Sequence, residues 1–158
     1  MKTLILAATF MMLGDAEEFR RQGYVVYTPV IASGGYLSKN IQGAFVGGDL
    51  LFYKDLGANV DTGAFFLPRE GGGIATFSPS VTYQARKIGT GRVVPFVSTG
   101  PAVFLGGDGI GLGIWQFSGG VTAWVKPRFG IRAEVRHHVD YRYNDLTLTA
   151  FRFGVTWR

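Results

Sequence analysis

Residues 129–142 carry the side chains that are best placed to perform chemistry. The adjacent histidines His137 and His138 lie close to Asp140, and a histidine beside a carboxylate can act as a general base or as half of a metal site. Neighbouring residues of a strand point to opposite faces, so the two histidines cannot bind one metal ion together. We therefore interpret both as interface or network residues, and we expect no catalytic residue, no metal and no cofactor.

The same segment alternates between two kinds of side chain. One set is mainly apolar and consists of Phe129, Ile131, Ala133, Val135, His137, Val139 and Tyr141. The intervening set is mostly charged and consists of Gly130, Arg132, Glu134, Arg136, His138, Asp140 and Arg142. This alternation predicts a β-strand between two different environments. An aromatic residue at each end of the apolar face is typical of a strand that faces lipid, with its charges in a barrel lumen.

The composition also favours a membrane barrel. The 158 residues include 24 glycines, with 15% aromatic and only 17% charged residues. The mean hydropathy is +0.17, yet no internal stretch approaches the roughly 20 apolar residues of a transmembrane helix. There is no cysteine, so no disulfide holds the fold. The net charge of +5 comes from scattered basic residues without a nucleic-acid motif, so we expect anionic lipid head groups rather than nucleic acid as partners.

The first residues predict a secretory signal peptide. Lys2 is followed by an apolar run over residues 3–14, and the small residues Gly14 and Ala16 suit cleavage after Ala16. The alternative is a buried N-terminal helix. We assign residues 1–16 to the signal peptide and residues 17–158 to a single barrel domain.

Turn signals divide the mature chain into eight segments, each long enough to cross a membrane at a tilt. The segments are Gln22–Ser33, Ile41–Tyr53, Leu56–Leu67, Gly73–Arg86, Val93–Gly106, Trp115–Lys126, Phe129–Arg142 and Leu146–Arg158. The even number fits an antiparallel up-and-down transmembrane barrel. The glycine-rich run 106–113 lacks the signature of a phosphate-binding loop, and we interpret it as a flexible outer loop.

The inward positions of these segments predict a network of charges in the lumen. Its members are Asp49, Asp61, Arg86, Arg132, Glu134, Arg136 and Arg152. An eight-stranded barrel is only wide enough for side chains to fill it, and an unpaired buried ion costs several kcal/mol. We therefore expect these charges to pair and form a polar plug. The alternative is a gated or leaky pore for small ions.

The outward positions predict an aromatic, lipid-facing surface. Its members are Trp115, Phe117, Phe129, Tyr141, Phe151, Phe153 and Trp157. An alternative fold, a soluble lipocalin-like carrier, would turn Phe151, Phe153 and Trp157 inward instead.

Four motifs in the second half of the chain resemble the small bacterial outer-membrane β-barrel family, which includes the OmpA-like proteins. The motifs are Val94-Pro95-Phe96, Phe117-Ser118-Gly119-Gly120-Val121, Phe129-Gly130-Ile131-Arg132 and Phe151-Arg152-Phe153-Gly154-Val155. The resemblance implies a monomer in the bacterial outer membrane, in contact with lipids and lipopolysaccharide. It also implies insertion by the barrel-assembly machinery, although Arg158 follows the terminal aromatic residue of this chain. The implied role is structural or adhesive, or minor permeation of small solutes.

A second resemblance, to outer-membrane lipid A deacylases, suggests an enzyme. Those barrels carry a catalytic His-x-Ser on a late strand, and His137 and His138 occupy a similar place. The residues two positions further on are Val139 and Asp140, so the serine nucleophile is missing. Acyl transfer then has no attacking group, and we do not expect an enzyme.

Overall fold

A computed structural model describes residues 20–33, 41–67, 72–86, 91–106, 109–141 and 147–158. These residues form eight strands: β1 (Arg20–Ser33), β2 (Gln42–Tyr53), β3 (Leu56–Leu67), β4 (Gly72–Gln84), β5 (Val93–Gly106), β6 (Gly109–Lys126), β7 (Phe129–Asp140) and β8 (Thr147–Trp157). Each strand pairs antiparallel with its neighbours in sequence, and β8 pairs with β1 to close the barrel. The predicted fold class is confirmed. The predicted signal peptide lies outside the described residues. A helix with the length and hydropathy to span a bilayer is not found among the described residues.

The two ends of the barrel differ. Tight turns at 54–55 and 127–128 lie at the end where β8 also finishes, and we call this the turn end. At the first of these turns Lys54 and Asp55 both have positive φ, of 38° and 74°, as the two central residues of a type I′ hairpin turn do. The opposite end, which we call the loop end, is the end at which β1, β3, β5 and β7 finish.

Residues 109–113 of the glycine-rich run belong to a strand, and this corrects the sequence interpretation of these residues as a loop. Strand β6 begins at Gly109, six residues before the predicted start, and it pairs with β5 through Gly106↔Gly109 and Phe104↔Gly111. Glycine weakens a strand without preventing its hydrogen bonding, so pairing with β5 continues towards the tip. Gly109 has a φ of 128°, which residues with a side chain rarely adopt.

Strand alternation separates a lumen from an outer surface. On β7, Val135 is 42% exposed, whereas its neighbour Arg136 is 2% exposed. The same division runs along β8, where Phe153 faces outward and Arg152 is buried. The alternative of a lipocalin-like carrier is therefore wrong, because it requires the aromatic residues of β8 to point inward and they point away from the interior.

The predicted aromatic surface faces outward at both ends of the barrel. Phe129 and Trp157 are cross-strand partners at the turn end, while Trp115 and Tyr141 lie at the loop end. All four are at least one-third exposed, at 44%, 43%, 37% and 64% respectively. Two aromatic girdles separated by an apolar band are the pattern of a barrel that spans a bilayer.

Three further aromatic residues complete this surface. Phe117 and Phe153 are exposed, and Phe151 is half-buried. The rings of Phe151 and Phe153 stack with their centroids 6.5 Å apart. The seven predicted outward residues therefore all lie on the outer wall.

Candidate functional site

Six charged side chains meet in the middle of the lumen, and we call them the charged layer. They are Asp49, Asp61, Arg132, Glu134, Arg136 and Arg152. Each is at most 2% exposed as a side chain. The layer holds three guanidinium groups and three carboxylates, so its formal charge is balanced. A balanced set of paired ions is what burial in a narrow lumen requires.

Glu134 lies at the centre of the layer. Its Oε1 accepts hydrogen bonds from Arg136 Nε at 2.8 Å and Arg152 Nη1 at 3.1 Å. Its Oε2 accepts one from Arg132 Nε at 3.3 Å. Glu134 and Arg152 are also direct cross-strand partners on β7 and β8. One carboxylate thus ties all three arginines together.

The other two carboxylates connect the arginines to the far wall. Arg136 Nη1 on β7 donates to Asp61 Oδ1 on β3 at 3.0 Å, and these strands are four places apart in the barrel. Arg132 Nη1 donates to Asp49 Oδ2 on β2 at 2.9 Å. Arg152 on β8 pairs with Asp61 as well. The layer therefore crosses the lumen instead of following one wall.

Uncharged side chains satisfy the remaining oxygens. Asn59 Nδ2 donates to Asp49 Oδ1 at 2.6 Å and to the Tyr24 hydroxyl at 2.9 Å. The Tyr24 hydroxyl in turn donates to Asp61 Oδ2 at 3.2 Å. Gln84 Nε2 donates to Asp49 Oδ2 at 3.2 Å, and Gln22 Nε2 donates to the same oxygen. Carboxylates with several donors are held in one position.

Aromatic rings hold two of the arginines. The guanidinium carbon of Arg132 lies 4.2 Å from the ring centre of Tyr24 and 3.8 Å from that of Phe96. The guanidinium carbon of Arg152 lies 4.8 Å from the ring centre of Phe45. A desolvated guanidinium over a ring face gains cation–π stabilisation, so these contacts fix the layer further.

Glycines in the wall make room for the large side chains. A Cβ atom on Gly120 would lie 2.8 Å from Phe96 Cζ, and one on Gly47 would lie 2.8 Å from Tyr24 Cε2. Contacts this short do not occur between real atoms, so both positions exclude any side chain. Because Gly47 on β2 and Gly120 on β6 have no Cβ atom, the rings of Tyr24 and Phe96 fit beside Arg132.

An apolar cluster fills the lumen between the charged layer and the loop end. The rings of Phe45 and Phe65 meet edge to face with their centroids 5.0 Å apart, and Phe104 lies 6.1 Å from Phe65. His138 belongs to this cluster, with its ring centroid 5.4 Å from that of Phe104. Ile41 is buried alongside these rings. The side chain that first suggested chemistry is therefore packed among aromatic rings.

His137 points the other way. Its Nδ1 lies 2.8 Å from the Thr149 hydroxyl on the neighbouring strand, within hydrogen-bond distance. The two histidines thus occupy different environments, as their adjacent positions on one strand require.

Arg86 does not belong to the charged layer, which corrects the sequence prediction. It lies beyond the end of β4, and its Nε donates to Asp55 Oδ1 at 2.5 Å. Gln84, two residues earlier, already reaches Asp49 at the edge of the layer. Arg86 is therefore too close to the turn end to reach the layer. Asp55 was missed as its partner because it lies in a turn, outside the strand pattern.

Sequence reasoning also missed the uncharged members of the site. Tyr24 and Asn59 each lie at one of the alternate strand positions that face inward, and this alternation was the available signal for both. Phe96 faces inward between Val94 and Ser98 in the same way. Parity identifies such residues as inward, but only the register between strands shows that they reach the charges.

Comparisons with known proteins find similarity in structure and not in sequence. No protein family matches the chain, and no curated protein matches it. Neisserial surface protein A is 16% identical with a TM-score of 0.62, over 88% of this chain and 96% of that protein. The N-terminal β-barrel domain of OprF from Pseudomonas aeruginosa is 14% identical with a TM-score of 0.60, over 89% and 98%. Ail, the attachment invasion locus protein of Yersinia pestis, is 16% identical with a TM-score of 0.54, over 87% and 95%.

These likenesses establish the fold. The chain has the architecture of the eight-stranded transmembrane barrels found in bacterial outer membranes. The outward apolar band and the buried charges of its own strands agree with that architecture.

Proposed function

We propose that the protein is an integral barrel of a bacterial outer membrane whose lumen is closed. The membrane location is supported by the two aromatic girdles and by the apolar outer wall between them. The turn end would face the periplasm, and the loop end would face outward. Outer-membrane lipids and lipopolysaccharide are then its surroundings, and the barrel-assembly machinery inserts it as a monomer.

The single observation that carries the closed lumen is the charge-balanced layer. Its ion pairs join opposite walls, as Arg136 and Asp61 do. The apolar cluster around Phe65 fills the lumen next to it. An ion passing through would have to break buried pairs and then displace the packed rings of Phe45, Phe65 and Phe104, and both steps are costly.

The role that we propose is structural, with attachment at the loop end as the second candidate. The attachment role is favoured by likeness in fold to Ail, which is named as an attachment invasion locus protein. We propose no enzymatic activity, because the position two residues after His138 is Asp140 and not the serine that a deacylase needs.

Membrane insertion is tested by gel mobility. A folded membrane barrel resists detergent, so boiled and unboiled samples should migrate at different apparent sizes. Identical migration together with full solubility in the absence of detergent would contradict the proposed location.

The closed lumen is tested by conductance in planar bilayers. The wild-type protein should give no discrete current steps. The double variant Asp61→Ser with Arg136→Ser removes the Arg136–Asp61 pair, and with it the Arg152–Asp61 and Arg136–Glu134 pairs, without changing the net charge. Once gel mobility shows that it is folded, it should conduct. The matched control is Ser98→Ala with Ser118→Ala, which removes a buried hydroxyl pair whose oxygens lie 2.6 Å apart. The control should remain silent, and steps from the wild-type protein would favour the pore alternative.

Attachment is tested with cells that carry the protein. Cells expressing it should adhere to a surface of host cells more than cells expressing a variant in which residues 34–40 are replaced by a short glycine-serine turn. Equal adherence would contradict the attachment role and leave only the structural role.

A further inference from the structure

A recess opens at the turn end of the lumen, on the far side of the charged layer from the apolar cluster. Its volume is about 330 Å³. It is lined by Arg20, Arg21, Gln22, Leu51, Gln84, Arg86, Trp124 and Arg158. The volume lies at the lower end of the range of about 300–1,000 Å³ that is usual for small-molecule sites.

The recess has a strong excess of positive charge. Four of its lining residues are arginines, and no acidic side chain lines it within the described part of the chain. Asp55, a carboxylate of the turn at residues 54–55, is already paired with Arg86. The charged layer below has equal numbers of positive and negative groups, so it does not offset these arginines. The charges of Arg20, Arg21 and Arg158 are therefore not compensated by a side chain of the described residues.

Several of the arginine donors are available. Within the described ranges, Arg20 and Arg21 form no ion pair, and both are exposed. The Nη1 atom of Arg86 is buried and has no hydrogen-bond partner among the same residues. A buried guanidinium N–H without an acceptor is costly, so an acceptor supplied from outside would be stabilising.

Arg158 is held in a fixed orientation. Its guanidinium carbon lies 4.3 Å from the ring centre of Trp124, and its Nε donates to the Pro127 carbonyl at 2.7 Å. With Nε engaged and the plane resting on the indole, the terminal nitrogens remain as donors. An arginine fixed in this way loses little side-chain entropy when it binds an anion.

The floor of the recess does not repel an anion. Gln22 and Gln84 both line it, and their amide nitrogens both donate to Asp49 Oδ2. Arg132 Nη1 donates to the same oxygen at 2.9 Å. The carboxylate closest to the floor is thus covered by three donors.

We propose that this recess binds a phosphate group. Planar guanidinium forks match the oxygens of a phosphate, and a dianionic group satisfies several of them at once. The arginines are far apart in the sequence: two lie at the start of β1, one lies beyond β4, and one directly follows β8. Binding therefore needs the closed barrel. The phosphate is carried either by a soluble molecule or by a phospholipid head group at the membrane surface.

The test measures binding of inorganic phosphate to the folded protein in a non-ionic detergent by titration calorimetry at constant ionic strength. We expect saturable binding with one phosphate per chain. Arg20→Gln and Arg158→Gln should each weaken the affinity at least tenfold. The matched control is Arg92→Gln, an exposed arginine that does not line the recess, and its affinity should stay within twofold of the wild type. The gel mobility of each variant verifies that it is folded.

The source of the phosphate is distinguished in lipid nanodiscs. Weaker phosphate affinity in discs containing phosphatidylglycerol than in discs of phosphatidylcholine alone would identify a competing anionic lipid head group. Equal affinity in both would identify a soluble phosphate as the ligand. Either result supports a phosphate site.

Three results would overturn the proposal. The first is the absence of saturable phosphate binding by the folded wild-type protein. The second is an equal loss of affinity in Arg92→Gln and Arg20→Gln. The third is binding that occurs only when Glu17→Gln and Glu18→Gln are introduced. That result would mean that the chain's own carboxylates, just before Arg20, occupy the recess. None of the three results bears on whether the lumen conducts, so the proposed function is tested separately.

Discussion

Arg136 and Asp61 join opposite walls of the barrel, with Nη1 of the arginine 3.0 Å from Oδ1 of the aspartate. Their strands, β7 and β3, lie as far apart as two strands of this closed sheet can. The backbone hydrogen bonds of the barrel, in contrast, join only neighbouring strands. The contact between Arg136 and Asp61 links two strands that share no backbone hydrogen bonds, so side chains of the lumen also hold the barrel together.

The coupling between these two residues can be measured by a double-mutant cycle. Asp61→Asn and Arg136→Gln each leave an uncompensated charge in the layer, whereas the double variant restores the balance. We expect the double variant to be less destabilised than the sum of the single variants by about 0.5–3 kcal/mol. Equilibrium unfolding in urea measures all four proteins. The cycle of Asp55→Asn with Arg136→Gln is the control and should be additive, because Asp55 pairs with Arg86 at the turn end.

Glu134 should be the most sensitive carboxylate of the layer. Glu134→Gln removes the charge that all three arginines share, and breaking a buried ion pair from one side costs about 3–5 kcal/mol. The comparison is Thr122→Ala, a buried lumenal residue whose hydroxyl has no hydrogen-bond partner among the described residues. Urea unfolding should show a much smaller loss of stability for Thr122→Ala, and similar losses would contradict the layer as the main polar support.

The position of Arg132 requires a guanidinium and not only a positive charge. Arg132→Lys keeps the charge but loses the flat surface that lies between Tyr24 and Phe96. We expect a loss of about 1–2 kcal/mol in the free energy of unfolding, from weaker cation–π contacts in a desolvated site. The control Arg128→Lys lies in the exposed turn after β6 and should change stability by less than about 0.5 kcal/mol. Equal effects would show that the rings contribute nothing.

The alternation of side chains was predictable from the sequence, because it is a local property of each strand. Arg132, Glu134 and Arg136 share one face of β7 whatever their surroundings, and the parity of Arg152 on β8 follows in the same way. The sequence therefore predicted which charges face inward. It also predicted that Trp157 and Phe129 face outward.

The partners of these charges were not predictable, because they depend on strand register and on the level of each residue along the barrel axis. Arg86 has the inward parity but lies beyond the layer, beside a turn whose geometry brings Asp55 to it. Tyr24 and Asn59 reach the charges only because β1, β2 and β3 pair in one particular register. The pairing of the glycine run 109–113 likewise depends on β5, which local composition does not reveal.

Two adjacent glycines on β6 should respond very differently to alanine. A Cβ on Gly120 would lie 2.8 Å from Glu134 Cα and would also collide with the Ala133 carbonyl. Since backbone atoms cannot move aside, Gly120→Ala should cost about 1–3 kcal/mol. A Cβ on Gly119 would meet its nearest atom, the Phe96 carbonyl oxygen, at an ordinary 3.9 Å. Gly119→Ala should therefore be nearly neutral in urea unfolding, and the opposite order would contradict the strand parity.

The depth of the barrel in the bilayer can be measured on the outer face of β7. Val135 lies near the middle of this strand and is 42% exposed, whereas Phe129 begins it and belongs to the turn-end girdle. An arginine at the bilayer midplane costs about 2–4 kcal/mol, and one near the interface costs about 0–1 kcal/mol. Val135→Arg should therefore destabilise the protein in phospholipid vesicles far more than Phe129→Arg. In a soluble protein both residues would face water, and neither substitution would show this dependence on depth. A difference between the two variants in vesicle unfolding thus reports directly that lipid covers the middle of the strand.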